Sequence, residues 1–431
     1  MRFQIQRFVC TIIMLAIIAP AIYRAYGIFR ADRIARTDKT ISGFSKAISY
    51  DPSNAILWWY RGRLYHYSLV GANLAQAMLD YRHALSLNPR IGQAWADLAD
   101  CYDQMGNYAE AEKAFLNAFI VHRYSPSIRW QAGNFYLRRG NLSKMYECFK
   151  MSCEYDPQKL AIAMDVSWKI DSEHEQILQK LIPDTLTANL SYLEFLVSRN
   201  ELTLAAPVWQ RFMKSIVPET VELKPACSFS YIDRLISHNH VDEALKVWID
   251  ILRKTHSDIE EGHRLLTDIP ENLIWNGSFE NEFLNGGFDW RNPERSAVKL
   301  SIDTTNRMQG LKSLKATFQS ENFSYAFLSQ IVPVPEAGSY QLDFCLRAEG
   351  LTTDQLPYLA LQSYPETTGI YATSSNVPSA TEWRKVTIPF TVKPGCNAIL
   401  LQFQRNQSAK FDNALKGTLW LDGFSLRKVG E

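Results

Sequence analysis

Hydrophobic and polar positions between residues 91 and 120 alternate with a helical period. Counted from Trp95, Leu98 follows at +3, Tyr102 at +7, Ala111 at +16, Phe115 at +20 and Ala118 at +23, with Gly106 at +11. Residues three, four and seven apart share a helix face. Trp95, Leu98 and Tyr102 therefore mark one helix, and Tyr108, Ala111, Phe115 and Ala118 a second packed antiparallel to it. Gly106 supplies a turn with positive φ, and small Ala111 lets the two backbones approach. One such pair cannot close a core, so its neighbours must be similar pairs.

The neighbours keep the phase. Phe44, Ala47 and Pro52 have the spacing of Tyr81, Ala84 and Pro89, and of Phe149, Ser152 and Pro157, each proline stopping a second helix. The preceding pair joins Trp58, Gly62 and Tyr65 to Leu74, Ala77, Tyr81 and Ala84, with a three-residue insertion around Gly71. The following pair has Gly133, Tyr136, Gly140, Leu142, Met145 and Phe149. Farther on, Asn200, Leu202, Ala205 and Trp209 recur as Asn239, Val241, Ala244 and Trp248 at a constant offset of 39 residues. Asparagine stands for glycine there because it tolerates the left-handed region. Residues 158–184 are helical by periodicity but carry no clear phase. The whole pattern resembles the tetratricopeptide repeat. That resemblance implies an all-α solenoid over residues 38–268, clearest over 40–157 and degenerate over 158–268.

Near Asp268 and Pro270 the period changes from 3.6 to 2. From Asn272 onward, short runs rich in aromatic and β-branched residues alternate with turn signals such as Asn285-Gly286-Gly287 and Lys393-Pro394-Gly395. Seven or more such runs over residues 272–431 predict an antiparallel β-sandwich. The opening Asn272-Leu-Ile-Trp-Asn-Gly-Ser-Phe-Glu280, with Gly286-Gly-Phe-Asp-Trp290, is similar to the first strand and loop of galactose-binding-like jelly rolls. The closing Gly417-Thr-Leu-Trp-Leu-Asp-Gly-Phe-Ser-Leu426 is similar to their last strand. That class includes many carbohydrate-binding modules.

At the amino end, residues 8–23 are uncharged and apolar apart from Thr11, between Arg7 and Arg24. Sixteen residues of helix reach about 24 Å, somewhat less than a ~30 Å hydrocarbon core, and Arg24 could snorkel to let residues 25–29 extend the span. The expectation is an N-terminal transmembrane helix in a single-pass anchor over residues 1–37. A signal peptide cleaved near Ala19-Pro20-Ala21 is the alternative. Orientation is contested: Arg24, Arg30, Arg33, Arg36 and Lys39 follow the span and favour a cytoplasmic bulk, while a lectin-like domain favours an exported, periplasmic or extracytoplasmic one.

Composition narrows the functional classes. The 431 residues exceed one ordinary domain, and a net charge of +1 leaves no basic footprint for nucleic acid. Seven cysteines without a CxxC give neither a zinc site nor a disulfide framework. Cys345 and Cys396 could pair if exported, although small core hydrophobes are the plainer reading of the set. No Walker loop, GxSxG, HExxH or GxGxxG is present, so no catalytic residues are assigned and no cofactor is required. His238-Asn239-His240 before Asp242 and Glu243 falls at a helix-to-helix turn, where polar residues belong.

The concave face of a repeat array is lined by the first helix of each pair. Trp59 with Arg63, Ala96 with Asp100, and Trp130 with Asn134 lie four apart there, which makes Trp59, Arg63, Asp100, Trp130 and Asn134 the candidate contacts for a protein partner. They depart from the pattern of Lys and Asn with which family members clamp a carboxyl-terminal peptide. In the sandwich, the resemblance implies a structural calcium held by Glu280 and Asp422, with a salt bridge or plain surface carboxylates as the alternative. Aromatic rings stack on sugars and Arg binds hydroxyls, so Trp290, Tyr364, Tyr371 and Arg405 are the candidate glycan residues, each of which could equally pack a core. Together these readings describe a non-enzymatic, membrane-anchored scaffold that joins a protein partner to a glycan, and the resemblance implies a role in envelope polysaccharide assembly or export. The alternatives are a targeting subunit of a glycan-processing enzyme and a structural protein without a glycan ligand.

Overall fold

A computed structural model of the chain describes residues 2–68, 72–216, 223–255, 272–365, 370–374 and 382–429, with backbone alone for 2–13, 15 and 370. The chain forms two compact units, Met1–Asp184 and Thr185–Glu431.

The first unit is a helical array: α1 (Arg2–Thr37), α2 (Ile41–Tyr50), α3 (Ala55–His66), α4 (Leu74–Leu87), α5 (Gly92–Gln104), α6 (Tyr108–Val121), α7 (Pro126–Arg138), α8 (Leu142–Tyr155), α9 (Leu160–Ile170) and α10 (Ile177–Lys180). Helices pair in sequence, α1 with α2, α3 with α4, α5 with α6 and α7 with α8. The pairing follows from small residues facing aromatic ones. A Cβ at Gly62 would lie 2.8 Å from the Tyr81 ring, and one at Gly133 would lie 2.4 Å from Phe149. Gly106 and Gly140 turn the chain at φ 80° and 67°. Asn73 and Asn141 cap the helices that follow, accepting from the backbone N–H of Gln76 and Lys144. Gly71, at the expected insertion, lies outside the described residues.

Helix α1 corrects the expected membrane anchor. Among the described residues no helix is long and apolar enough to cross a membrane, so the transmembrane helix and the single-pass membrane location both fall. The reason is visible in the packing. The uncharged run 8–23 falls short of the ~20 residues a span needs, and the segment invoked to lengthen it is committed elsewhere. A Cβ at Gly27 would lie 2.8 Å from the Tyr50 carbonyl oxygen, and Ala31, 1% exposed, packs with Phe44, Ala47, Ile48 and Leu57. The carboxyl half of α1 is thus the partner of α2.

The second unit begins with α11 (Leu186–Ser198), α12 (Leu202–Ser215), α13 (Phe229–Ser237) and α14 (Val241–Thr255). Asn200 and Asn239 turn the chain at φ 63° and 62°, as their place in the repeat predicts. The strands are β1 (Val298–Asp303), β2 (Ser313–Glu321), β3 (Ala326–Pro333), β4 (Gly338–Glu349), β5 (Tyr358–Tyr364), β6 (Ile370–Thr373), β7 (Arg384–Val392), β8 (Ala398–Gln404) and β9 (Leu415–Lys428). They form two antiparallel sheets, β1-β2-β9-β4-β7 and β3-β8-β5-β6. Phe327, Phe344, Phe403 and Phe424 interdigitate between them. The segment at Asn272 pairs with the last strand, Leu273 N–H donating to the Leu426 carbonyl at 2.9 Å.

The expected change of texture at 268–272 falls largely outside the described residues, yet the helices before it pack on the sandwich after it. Trp248 meets Trp275 and Phe288 edge-on, with centroids 5.6 and 6.2 Å away. Gly286 and Gly287 make room for this: a Cβ would lie 2.1 Å from Phe229 and 2.3 Å from Trp248. Arg291 closes the contact by donating to both carboxylate oxygens of Asp233, at 3.1 and 2.6 Å.

Candidate functional site

In the first unit, the first helices of the pairs form a continuous polar ladder. Its centre is Asp97, which is fully buried. Asp97 accepts from Trp59 Nε1 at 2.8 Å, Tyr67 Oη at 3.3 Å and Gln93 Nε2 at 3.2 Å, with Arg63 Nε 3.6 Å away. Burial raises its carboxyl against the pull of these donors. One turn on, Asp100 faces His66 at 3.3 Å and accepts from Gln104 at 3.1 Å. Burial opposes its charge, but His66, Gln104 and Arg138 hold it below the usual carboxylate range.

Of the residues expected to contact a partner, Trp59, Arg63 and Asp100 belong to this ladder or adjoin it. Trp130 is half-buried and stacks on Phe149 at 4.6 Å, and Asn134 donates to the Trp130 carbonyl. Asp97 lies beside the periodic Leu98 rather than on it, so the repeat pattern does not mark it. The spacing of 38 residues between Trp59 and Asp97, and between Gln93 and Gln131, could have found it.

In the sandwich, two of the four expected sugar-binding residues are corrected by burial. Trp290 is fully buried, packs on Phe279 and Phe424, and donates Nε1–H to the Asn276 carbonyl. Arg405, 1% exposed, donates to the carbonyls of Gln355, Phe323 and Asn413 and to Asn322 Oδ1. A guanidinium so engaged ties loops together and cannot reach a surface ligand. Tyr364 and Tyr371 are half-exposed and line one cleft.

The outer face of the four-stranded sheet carries a row of polar side chains. Gln362 Nε2 donates to Gln402 Oε1 at 3.2 Å, Gln404 Nε2 donates to Tyr358 Oη at 3.0 Å, and Tyr358 Oη lies 3.4 Å from Asn406 Oδ1. Register explains the row. Tyr358 pairs with Gln404 and Gln362 with Leu400, while Leu359, Leu361, Leu401 and Phe403 point into the core. Tyr358 and Tyr364 stand at the two ends of β5, about 20 Å apart at ~3.3 Å per residue. The alternation of Gln with apolar residues in β5 and β8 was the available signal for these positions.

Glu280 and Asp422 do converge, but on amide donors. Asp422 Oδ2 accepts from Met308 N–H at 2.8 Å and Gln309 N–H at 3.0 Å, and Oδ1 accepts from Gly423 N–H at 2.7 Å. Glu280 Oε1 accepts from Leu311 N–H at 2.7 Å and Lys312 N–H at 3.1 Å. Amide donors thus engage both Asp422 oxygens and Glu280 Oε1, while burial still raises the Asp422 carboxyl. Among the described residues no group of three or more His, Cys, Asp or Glu could hold a metal, the His238–His240 turn included. Cys345 and Cys396 are both free thiols.

Residues 271–410 match the family model for a carbohydrate binding domain, and residues 80–113 match that for a tetratricopeptide repeat. Both are domain kinds that bind rather than catalyse. Among solved structures, the chain is similar to the enzymatically active domain of bacteriophage CBA120 tailspike protein 4 (14% identity, 37% of this chain and 21% of that one, TM-score 0.27). It is also similar to a carbohydrate-binding module in complex with β-1,4-galactotriose (22% identity, 37% and 99%, TM-score 0.27). A third is YrrB, a tetratricopeptide protein with an unusual peptide-binding site (13% identity, 52% and 98%, TM-score 0.26). The match thus spans 21% of the length of the tailspike domain. No curated protein matches the chain.

Proposed function

We propose that this tetratricopeptide-repeat protein with a carbohydrate-binding-type sandwich is a two-sided adaptor. Its repeats hold a segment of a protein partner, and its sandwich holds a polysaccharide lying along β5 and β8. The observation that supports the glycan side is the row of Tyr358, Gln404, Gln402 and Gln362 on the outer face of a sheet. Amide side chains offer paired donors and acceptors to sugar hydroxyls, and the tyrosines at either end offer apolar faces with a polar tip. Within this reading, the adaptor serves polysaccharide assembly or export by tethering a protein to the growing glycan. No reacting group is needed for that task, and the chain acts without catalysis.

The test is calorimetric titration of the full chain with neutral polysaccharides, β-1,4-galactan and xylan among them. Tyr358→Ala and Gln402→Ala are expected to weaken binding about tenfold each, the order set by losing a ligand hydrogen bond of ~1.4 kcal/mol, with the thermal midpoint unchanged. A chain that binds no polysaccharide, neutral or acidic, overturns the glycan side.

A further inference from the structure

The turn between α13 and α14 faces the sandwich across a cleft of ≈ 690 Å³. Ser237, His238 and Asn239 form one wall, and Tyr364, Tyr371 and Lys393 stand on the other. The two walls are joined where Asn397 Nδ2 donates to Asn239 Oδ1 at 3.3 Å. Tyr364 is also the last residue of the polar row on β5, so the cleft continues the proposed glycan path beyond the sheet.

The chemistry of the walls differs from that of the row. Lys393 and His238 are exposed, and none of the described lining residues is acidic. His238 Nδ1 lies 3.0 Å from the Arg234 carbonyl oxygen and 3.2 Å from Ser237 Oγ. A lysine, an imidazole, an amide and two tyrosine side chains therefore border one space. A lone lysine acts as a point charge with three rotatable donors, which matches a monoanion flanked by hydroxyls.

We propose that the cleft receives a carboxylate-bearing sugar, a uronate, belonging to the polysaccharide that lies on β5 and β8. On this view a turn built like those of the repeats has become part of the glycan site, and it selects acidic over neutral chains. The proposal rests on the glycan reading above.

The experiment separates the two. The full chain is titrated with acidic polysaccharides (polygalacturonate, alginate, glucuronoxylan and hyaluronan) and with the carboxyl-reduced, neutral form of each. At least one acidic polymer is expected to bind tenfold or more tightly than its reduced form. Lys393→Ala should abolish that preference, weakening binding of the acidic polymer about tenfold and of its reduced form far less, and His238→Ala should diminish it. Equal binding of both forms, or a preference indifferent to Lys393→Ala, overturns the uronate site and leaves the glycan reading standing. Binding to neither form of any of the four overturns the uronate site, and the glycan reading falls with it only if β-1,4-galactan and xylan also fail to bind.

Discussion

Asp289 links the charge of one residue to the stability of the sandwich. It is fully buried, its Oδ2 accepts from Leu284 N–H at 2.7 Å, and its Oδ1 has no hydrogen-bond partner. Burial pushes its carboxyl up to about 6 from an ordinary value of 3.8. A raised folded-state pKa means that the neutral form favours the fold. The contribution is complete below about pH 4 and is lost as pH rises through 6, by about 3 kcal/mol in all. Asp289→Asn, neutral at every pH, is expected to remove this loss; urea unfolding of residues 185–431 between pH 4 and 7 measures it. A slope unchanged in the variant would place the titrating group elsewhere. Residue roles of this kind were poorly legible beforehand. Trp290 and Arg405 have the composition of sugar ligands, and only their surroundings make them a core ring and a loop clamp.

At the scale of elements, α14 and the loop carrying Gly286 and Gly287 depend on each other. Gly287 has φ 57°, and a Cβ there would lie 2.3 Å from the Trp248 ring. Gly287→Ala therefore meets two penalties, a left-handed backbone and an overpacked aromatic contact, expected to total about 2–5 kcal/mol. The thermal midpoint of residues 185–431 should fall, and Trp248 should become accessible to a fluorescence quencher. Gly106→Ala offers the contrast: its φ is 80° with open space around it, so only the backbone penalty of about 1–2 kcal/mol applies. The Asn285-Gly-Gly run was readable as a turn. That its glycines admit aromatic rings from two helices some forty to sixty residues earlier was not, because no local pattern encodes the approach of a distant element.

For the whole molecule, the two compact units predict separable folding. Fragments 1–184 and 185–431 are each expected to unfold cooperatively, the first with helical and the second with mixed circular dichroism. The sandwich cut at residue 272 should fare worse, since Trp275 and Phe288 then lose Trp248, and Arg291 loses Asp233. A midpoint for residues 272–431 equal to that of 185–431 would show that the helices add nothing to the sandwich.

The sequence by itself determined the helical pairs, their glycine and asparagine turns, and the antiparallel sandwich with its joined ends. Each of these rests on local information: a periodicity of 3.6 or 2, a residue able to take positive φ, a proline that stops a helix. Tertiary structure alone decided what those elements do together. It made the second half of α1 the partner of α2 rather than part of a membrane span, because Gly27 and Ala31 face a packed neighbour. It buried Asp97 under donors from two helices, turned Glu280 and Asp422 onto a loop of amides, and brought Gln362 beside Gln402 across forty residues of chain. Such juxtapositions depend on strand register and helix packing, where a shift of one residue moves a side chain to the opposite face.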